Sequence, residues 1–163
     1  MTGDYFNQLP VFQGLTKAQM DLIRPLVRVA RLTAGKTIFE QGEQARYLYV
    51  LINGEVTIRY KPYDGPALVV AQIRAGGVFG WSAALGHVLY TSSATCDVEG
   101  KAYRINNHDL RTLCEQHPET GSVVLDRLAA NVAQRVTPRH GQVVNILSQA
   151  VDRDENNVNQ EAP

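Results

Sequence analysis

Apolar positions recur along this chain with two different periods, and the changes of period divide it into three stretches. Leu15-Thr16-Lys17-Ala18-Gln19-Met20 reads as a helix entry: Thr16 caps the Gln19 amide, the Gln19 side chain reaches back, and Leu15 and Met20 staple the first turn. Leu22, Ile23 and Leu26 continue an apolar face, and Pro25 predicts a kink or an early stop. From Val27 to Ile105 the period shortens. The β-rich segments VRVARL, TIF, YLYVLI, EVTIRY and ALVVAQI alternate with Ala-Gly, Gln-Gly-Glu, Asn-Gly and Ala-Gly-Gly turn signals. Asn53-Gly54, between YLYVLI and EVTIRY, is the best hairpin signal, because both central positions of a type I′ turn need positive φ. Many short strands at this spacing predict a sandwich or barrel-like pair of sheets rather than a parallel α/β sheet.

Helical spacing resumes after Asn107. Leu110, Leu113 and Cys114 share one side of a short helix that should end before Pro118. A second helix carries Leu125, Leu128, Ala129, Val132 and Val136, and Pro138 breaks it. Val143, Val144, Ile146, Leu147 and Ala150 fit a last amphipathic turn or two, while the closing DRDENNVNQEAP is polar and reads as disordered. No internal repeat stands out.

Composition narrows the classes of function. With 163 residues, 44% of them hydrophobic, the chain is expected to form one domain that builds its own core without staples. Its 16 basic and 16 acidic side chains balance, which lowers the expectation of a nucleic-acid partner, since phosphate binding calls for a basic patch. Cys96 and Cys114 form no metal-ligand array and read as small buried hydrophobes. The N-terminus lacks the basic region and apolar run of a signal peptide, and no run approaches the ~18 apolar residues of a membrane span. A cytoplasmic protein with no membrane partner is expected.

Several landmarks then fall in a telling order. Phe12 and Leu15 fit a Leu-Phe-x-x-Leu entry, and Gly35, Ile38 and Gln41-Gly42-Glu43 fit a Gly-x-x-Ile-x-x-x-Gly-Asp/Glu turn. Leu48 to Val56 fits a Tyr-Phe-Ile-Leu-x-Gly-x-Val hairpin, Gly77-Val78-Phe79-Gly80 fits a Gly-Asp-x-Phe-Gly element, and Ser93-Ala94-Thr95-Cys96 fits a closing strand. From about Leu9 to Val136 this series resembles the cyclic-nucleotide-binding domain family, as a catabolite-activator-like sensor domain without the DNA-binding module. The resemblance implies a mainly β fold with flanking helices: a double-stranded β-helix (jelly roll) with an N-terminal helix and C-terminal helices. It would span residues 1–137, followed by a short, partly disordered C-terminal segment over 138–163.

In that family Gly77 to Gly80 open the phosphate-binding cassette. Physically, Gly76, Gly77 and Gly80 let the backbone take positive φ and bring amides close to a ligand. Trp81-Ser82-Ala83-Ala84-Leu85 fits one short helical turn whose free N–H groups favour an anion. Read locally, the same glycines equally serve to turn a corner between strands; it is the resemblance that implies a ligand cleft. The implied ligand-binding residues are Gly77, Phe79, Gly80, Trp81, Ser82, Ala83, Ser92, Ser93 and Ala94, with His87, Tyr90 and Thr91 as accessory positions.

Two positions depart from the family pattern. Its binders carry a Glu after the Phe-Gly that accepts from the ribose 2′-OH, whereas Trp81 stands here and an indole only donates. They also carry an Arg two residues before the Ala-Thr that pairs the cyclic phosphate; here that residue is Ser92, and nothing from Gly86 to Cys96 is Lys or Arg. A hydrogen bond to a charged group is worth roughly 1.5–3 kcal/mol, so ordinary cyclic AMP binding is expected to be weak. The Thr91, Ser92 and Ser93 hydroxyls and the cassette amides remain to hold a phosphate. His87 adds charge at low pH or is simply solvated. Trp81 stacks on a flat ligand or covers the pocket mouth, or instead fills the pocket as a core residue.

Three classes of function follow. The first is a ligand-responsive regulatory module that takes a small molecule, with a cyclic nucleotide (cAMP or cGMP) as the one cofactor the resemblance implies. Its moving part would be the helix from Pro118 to Val136, through which a homodimer is also expected. The second is a degenerate jelly-roll interaction scaffold, or a regulator acting through a partner; direct DNA binding is not expected, because 26 residues after Thr137 are too few for a recognition-helix unit. The third, an enzyme on the same barrel, finds no support: His87, His108, His117 and His140 form no His-x-His, and neither a catalytic centre nor a metal site stands out.

Overall fold

The computed structural model describes residues 6, 8–82, 84 and 87–136, without the side chains of 134–136. Ala83, the break at Pro138, the boundary after residue 137, the Val143–Ala150 positions and the polar tail fall outside the described residues.

The first helix starts as its sequence dictates. The Gln19 amide donates to Thr16 Oγ1 (3.1 Å) and the Thr16 amide to Gln19 Oε1 (2.9 Å), closing the capping box of α1 (Lys17–Ile23). Pro25 ends regular helix, and a 3-10 turn over Arg24–Leu26 hands the chain to β1 (Val27–Leu32). Five strands follow: β2 (Thr37–Phe39), β3 (Tyr47–Tyr60), β4 (Leu68–Ile73), β5 (Val78–Phe79) and β6 (Ser93–Asn106).

All pairings are antiparallel, and the 14-residue strands β3 and β6 form the spine. Near the helices, β6 pairs with β1 and β3 pairs with β5; at the far end, β6 pairs with β2 and β3 with β4. The spine thus opens into two four-stranded halves, which is how a jelly roll closes with few exposed edges.

The expected hairpin at Asn53-Gly54 is not formed. β3 runs through those residues, so the segments YLYVLI and EVTIRY, expected as two strands, are one. No residue other than glycine has positive φ among the described residues, so Asn53 does not take the type I′ conformation. The pair instead makes a bulged bend in the β3–β6 ladder, with register shifts between Leu51 and Val56. The Asn53 side chain accepts the Lys101 amide (2.8 Å), and Gly54 sits at φ +93°. A Cβ on Gly54 would come within 2.5 Å of the Val98 carbonyl, and one on Gly100 would collide with the Asn53 backbone. The local code is satisfied by distant partners rather than by a turn.

Alternation along the spine sends side chains to two interiors. Leu48, Val50, Tyr103 and Ile105 face the terminal helices, while Tyr49, Leu51, Ala94, Cys96 and Ala102 face the inside of the roll. On the helix side they meet Leu110 and Leu113 of α2 (Asn107–Gln116) and Val124 and Leu128 of α3 (Pro118–Val136). The buried stripe of α3 runs through Val124 and Leu128 with Leu125 at its edge; Ala129, expected on it, is exposed. Among the described residues no helix is long and apolar enough to cross a membrane.

Candidate functional site

Phe79 ends β5 inside the roll, and Gly80 then turns the chain at φ +72°. A Cβ on Gly80 would lie 3.0 Å from the Tyr47 carbonyl and 3.3 Å from the Phe39 and Tyr49 rings, so the backbone passes the spine too closely for any side chain. Gly76 also has positive φ; Gly77 does not, and its need is space, since a Cβ there would come within 2.7 Å of the Ile73 side chain. After Gly80 the Ala84 amide donates to the Trp81 carbonyl (3.0 Å) and the His87 amide to the Ser82 carbonyl (3.0 Å). The chain returns through Tyr90, whose amide donates to the Glu43 carbonyl (2.9 Å), into β6.

Between these segments lies a cavity of about 20 Å³. That is room for about one water. Of the residues the resemblance implies, Phe79, Gly80, Trp81, Ser82 and Ser92 line it together with the accessory Tyr90, and none of its lining residues is charged. Phe39 and Ile58 complete the wall, and both were missed. Their signal was the two-residue alternation of TIF and EVTIRY, which puts them on the inner face.

The interior is filled by rings. Phe39 and Tyr90 stack at 3.8 Å between centroids, and Tyr49 and Phe79 at 4.9 Å. Tyr90 is 4% exposed, and its hydroxyl both donates to the Tyr47 carbonyl (2.7 Å) and accepts the Tyr47 amide (3.1 Å). Burial pushes the Tyr49 phenol up to about 12, with the nearby Tyr90 adding to the rise, and burial raises Tyr90 as well. Tyr90, expected as an accessory, is packed inside the roll against the Phe39 ring. Trp81 is not: it is 37% exposed at the mouth.

The other expected residues are placed around this cavity. Ser82 is buried, its hydroxyl 3.0 Å from that of Thr91, which is itself exposed. Ser93 turns its hydroxyl to the Arg59 carbonyl (3.3 Å), and Ala94 is fully buried in the roll. His87 is exposed and does not line the cavity. A larger groove of about 490 Å³ beside α1, between Phe12 and Arg24, holds none of the expected site residues.

One side chain ties this region to the last helix. Asn131 of α3 accepts the Val78 amide (3.1 Å) and donates to the Gly76 carbonyl (3.0 Å), clasping the segment that leads into Gly80. No sequence signal marked it, because a single Asn on a helix has no periodic signature.

Comparison with known proteins places this geometry. The profile of the cyclic nucleotide-binding domain family matches residues 29–117. A CRP-like cAMP-activated global transcriptional regulator of Mycobacterium tuberculosis is 27% identical over 119 residues, 73% of this chain and 53% of that protein. A crystal structure from Geobacter metallireducens, assigned by its description to the cyclic nucleotide-binding proteins, superposes with a TM-score of 0.74 at 26% identity, covering 83% of this chain and 98% of that one. The catabolite activator protein of Thermus thermophilus superposes with a TM-score of 0.66 at 25% identity, covering 85% of this chain and 63% of that one. The chain spans about half the length of the curated transcriptional regulator it matches.

Proposed function

The chain belongs to the cyclic nucleotide-binding domain family, and from that premise we propose that it is a non-catalytic regulatory sensor module with an altered cassette. Its ligand is a cyclic nucleotide held weakly, or another small, flat molecule. The observation that carries this reading is the meeting of Gly80, Trp81, Ser82 and Ser92 at one cleft inside the roll, the indole at its mouth. Indole, phenol and hydroxyl groups around glycine amides suit a flat polar ligand. With Trp81 and Ser92 where the family's carboxylate and guanidinium stand, affinity comes from stacking and hydroxyls rather than from ion pairs.

The cavity as it stands is too small for a nucleotide, so binding requires the Tyr90 ring to leave its place on Phe39. Movement of the Gly76–Gly80 segment then reaches α3 through the Asn131 clasp, and α3 passes it to a second copy of the chain or to a protein partner.

Thermal unfolding and titration calorimetry with cyclic AMP and cyclic GMP test this. Free ligand at about 100 times its Kd stabilises by about 2.7 kcal/mol, and each kcal/mol shifts the midpoint by roughly 2–4 °C in a chain of this size. A saturable rise with heat of binding is the expected result. Neither heat nor shift with either nucleotide would favour the second reading, an interaction scaffold, for which the filled ring stack around Tyr90 is the supporting observation.

A further inference from the structure

Three arginines, on β1 (Arg28), just before β3 (Arg46) and on β6 (Arg104), differ in what meets their guanidinium groups. Arg28 donates to the Pro25 carbonyl (2.9 Å) and to the Val27 carbonyl (3.4 Å). Arg46 donates from Nε and Nη2 to Gln44 Oε1 (3.3 and 3.1 Å). Arg104 lies with its guanidinium carbon 4.4 Å from the centre of the Tyr47 ring, and its Nε is buried with no hydrogen-bond partner. A desolvated N–H on a permanent cation is costly to leave without an acceptor, and native proteins meet such groups with an ordered water, an ion or a ligand.

The register puts this group next to the cleft. Arg104 on β6 stands opposite Tyr49 on β3, and Tyr49 stands opposite Phe79 on β5, so the three share one face and one row. Gly80 follows Phe79, and the hydroxyl of Tyr90 is fastened to the backbone of Tyr47, whose ring lies under the Arg104 guanidinium. Tyr49 stands between Phe79 and Arg104 in that row, so a ligand that displaces Tyr90 meets Arg104 past the Tyr47 and Tyr49 rings. The carboxylate of Glu43, which acts on both Tyr49 and Tyr90, is already engaged by the Glu40 amide (2.8 Å).

We propose that Arg104 is the anion-binding residue of this site, its buried Nε donating to a phosphate-type oxyanion of the ligand that takes the place of the Tyr90 ring. The displacement of Tyr90 rests on the sensor reading above, and the phosphate arm of the test separates the two. A planar guanidinium with a free N–H suits an oxyanion better than an ammonium does.

Thermal unfolding and calorimetry of the wild type, Arg104→Gln and Arg104→Lys are compared with inorganic phosphate, with cyclic AMP and with cyclic GMP at constant ionic strength. The wild type should be stabilised by phosphate and by cyclic AMP. Arg104→Gln should lose the response to phosphate and bind cyclic AMP at least ~10-fold more weakly, the range expected for one lost hydrogen bond to a charged group. Arg104→Lys keeps the charge without the fork and should fall between them; it carries the test if Arg104→Gln does not fold. Equal responses in the wild type and Arg104→Lys and Arg104→Gln would overturn the anion site while leaving the sensor reading standing. A phosphate response that depends on Arg104, with none to either cyclic nucleotide, would support the anion site and overturn the nucleotide reading. No response of the wild type to any of the three would overturn both.

Discussion

The two faces of the β3–β6 spine look into interiors of different character. On the helix side, Leu48, Val50 and Ile105 pack against Leu110, Leu113, Val124 and Leu128, a mostly aliphatic contact that the Phe6, Phe12 and Tyr103 rings flank. Inside the roll, Phe39, Tyr49, Phe79 and Tyr90 stack as rings, two of them carrying hydroxyls, and a small cavity remains beside Trp81 and Ser92. Aliphatic packing has one good arrangement, and losing it leaves a void. Ring stacks with polar tips have alternatives, because a hydroxyl released from Tyr47 can be met by water or by a ligand. On the proposed sensor reading, the helix side sets stability and the roll interior is the side that changes when a ligand binds. Asn131 joins the two.

The comparison breaks first at Leu48, which is fully buried on the helix side. Leu48→Ala should cost about 3 kcal/mol, lowering the unfolding midpoint by roughly 6–12 °C, while calorimetry on the folded protein finds cyclic AMP affinity unchanged. An affinity change of the same size would show that the two interiors are not separable.

Next in size is the buried phenol of Tyr49, whose pKa is raised to about 12. A folded pKa above the unfolded value of about 10 means that the contribution is fully present below pH ~10 and is lost as pH rises through about 12. Denaturant unfolding should show a loss on the order of 2 kcal/mol across that window, and Tyr49→Phe should remove this portion of it. An identical alkaline profile in the variant would place the loss elsewhere.

Tyr90→Phe keeps the ring and removes the hydroxyl from Tyr47. About 1 kcal/mol of stability should go, yet nucleotide affinity should rise, since a loosened ring is easier to displace. Lower affinity together with lower stability would make Tyr90 a structural residue rather than a plug. The smallest effect belongs to Trp81→Ala: at 37% exposure the side chain keeps part of its surface in solvent, and stability should fall by no more than about 1 kcal/mol while nucleotide binding weakens.

Much of the fold was legible because its signals are local. The Thr16–Gln19 capping box, the helix break at Pro25 and the stop before Pro118 each depend on residues within a turn of one another. Period-two alternation marked the strands and, read further, would have marked Phe39 and Ile58. Asn53-Gly54 misled because its preference for a turn is weaker than the pairing of two long strands across the bend, where Asn53 finds the Lys101 amide instead. The cleft was legible in its loop, from Phe79 to Ser92, and not in its filling. That Tyr90 lies inside and Trp81 at the mouth is decided by which side chain meets the Phe39 ring and the Tyr47 backbone, contacts that span about 40 to 50 positions along the chain. Arg104 gave no signal either, because an orphaned N–H is a property of packing and not of spacing.

Trp81 is the chain's single tryptophan and lines the cleft, so its emission reports on the site alone. The most direct measurement is a titration of that emission with cyclic AMP, excited at the red edge where adenine does not absorb. A saturable change in intensity or wavelength, with a midpoint matching calorimetry, is what a ligand entering beneath the indole predicts. A flat emission up to about 1 mM, with no stabilisation of the fold at the same concentration, would contradict the claim that the roll interior takes such a ligand.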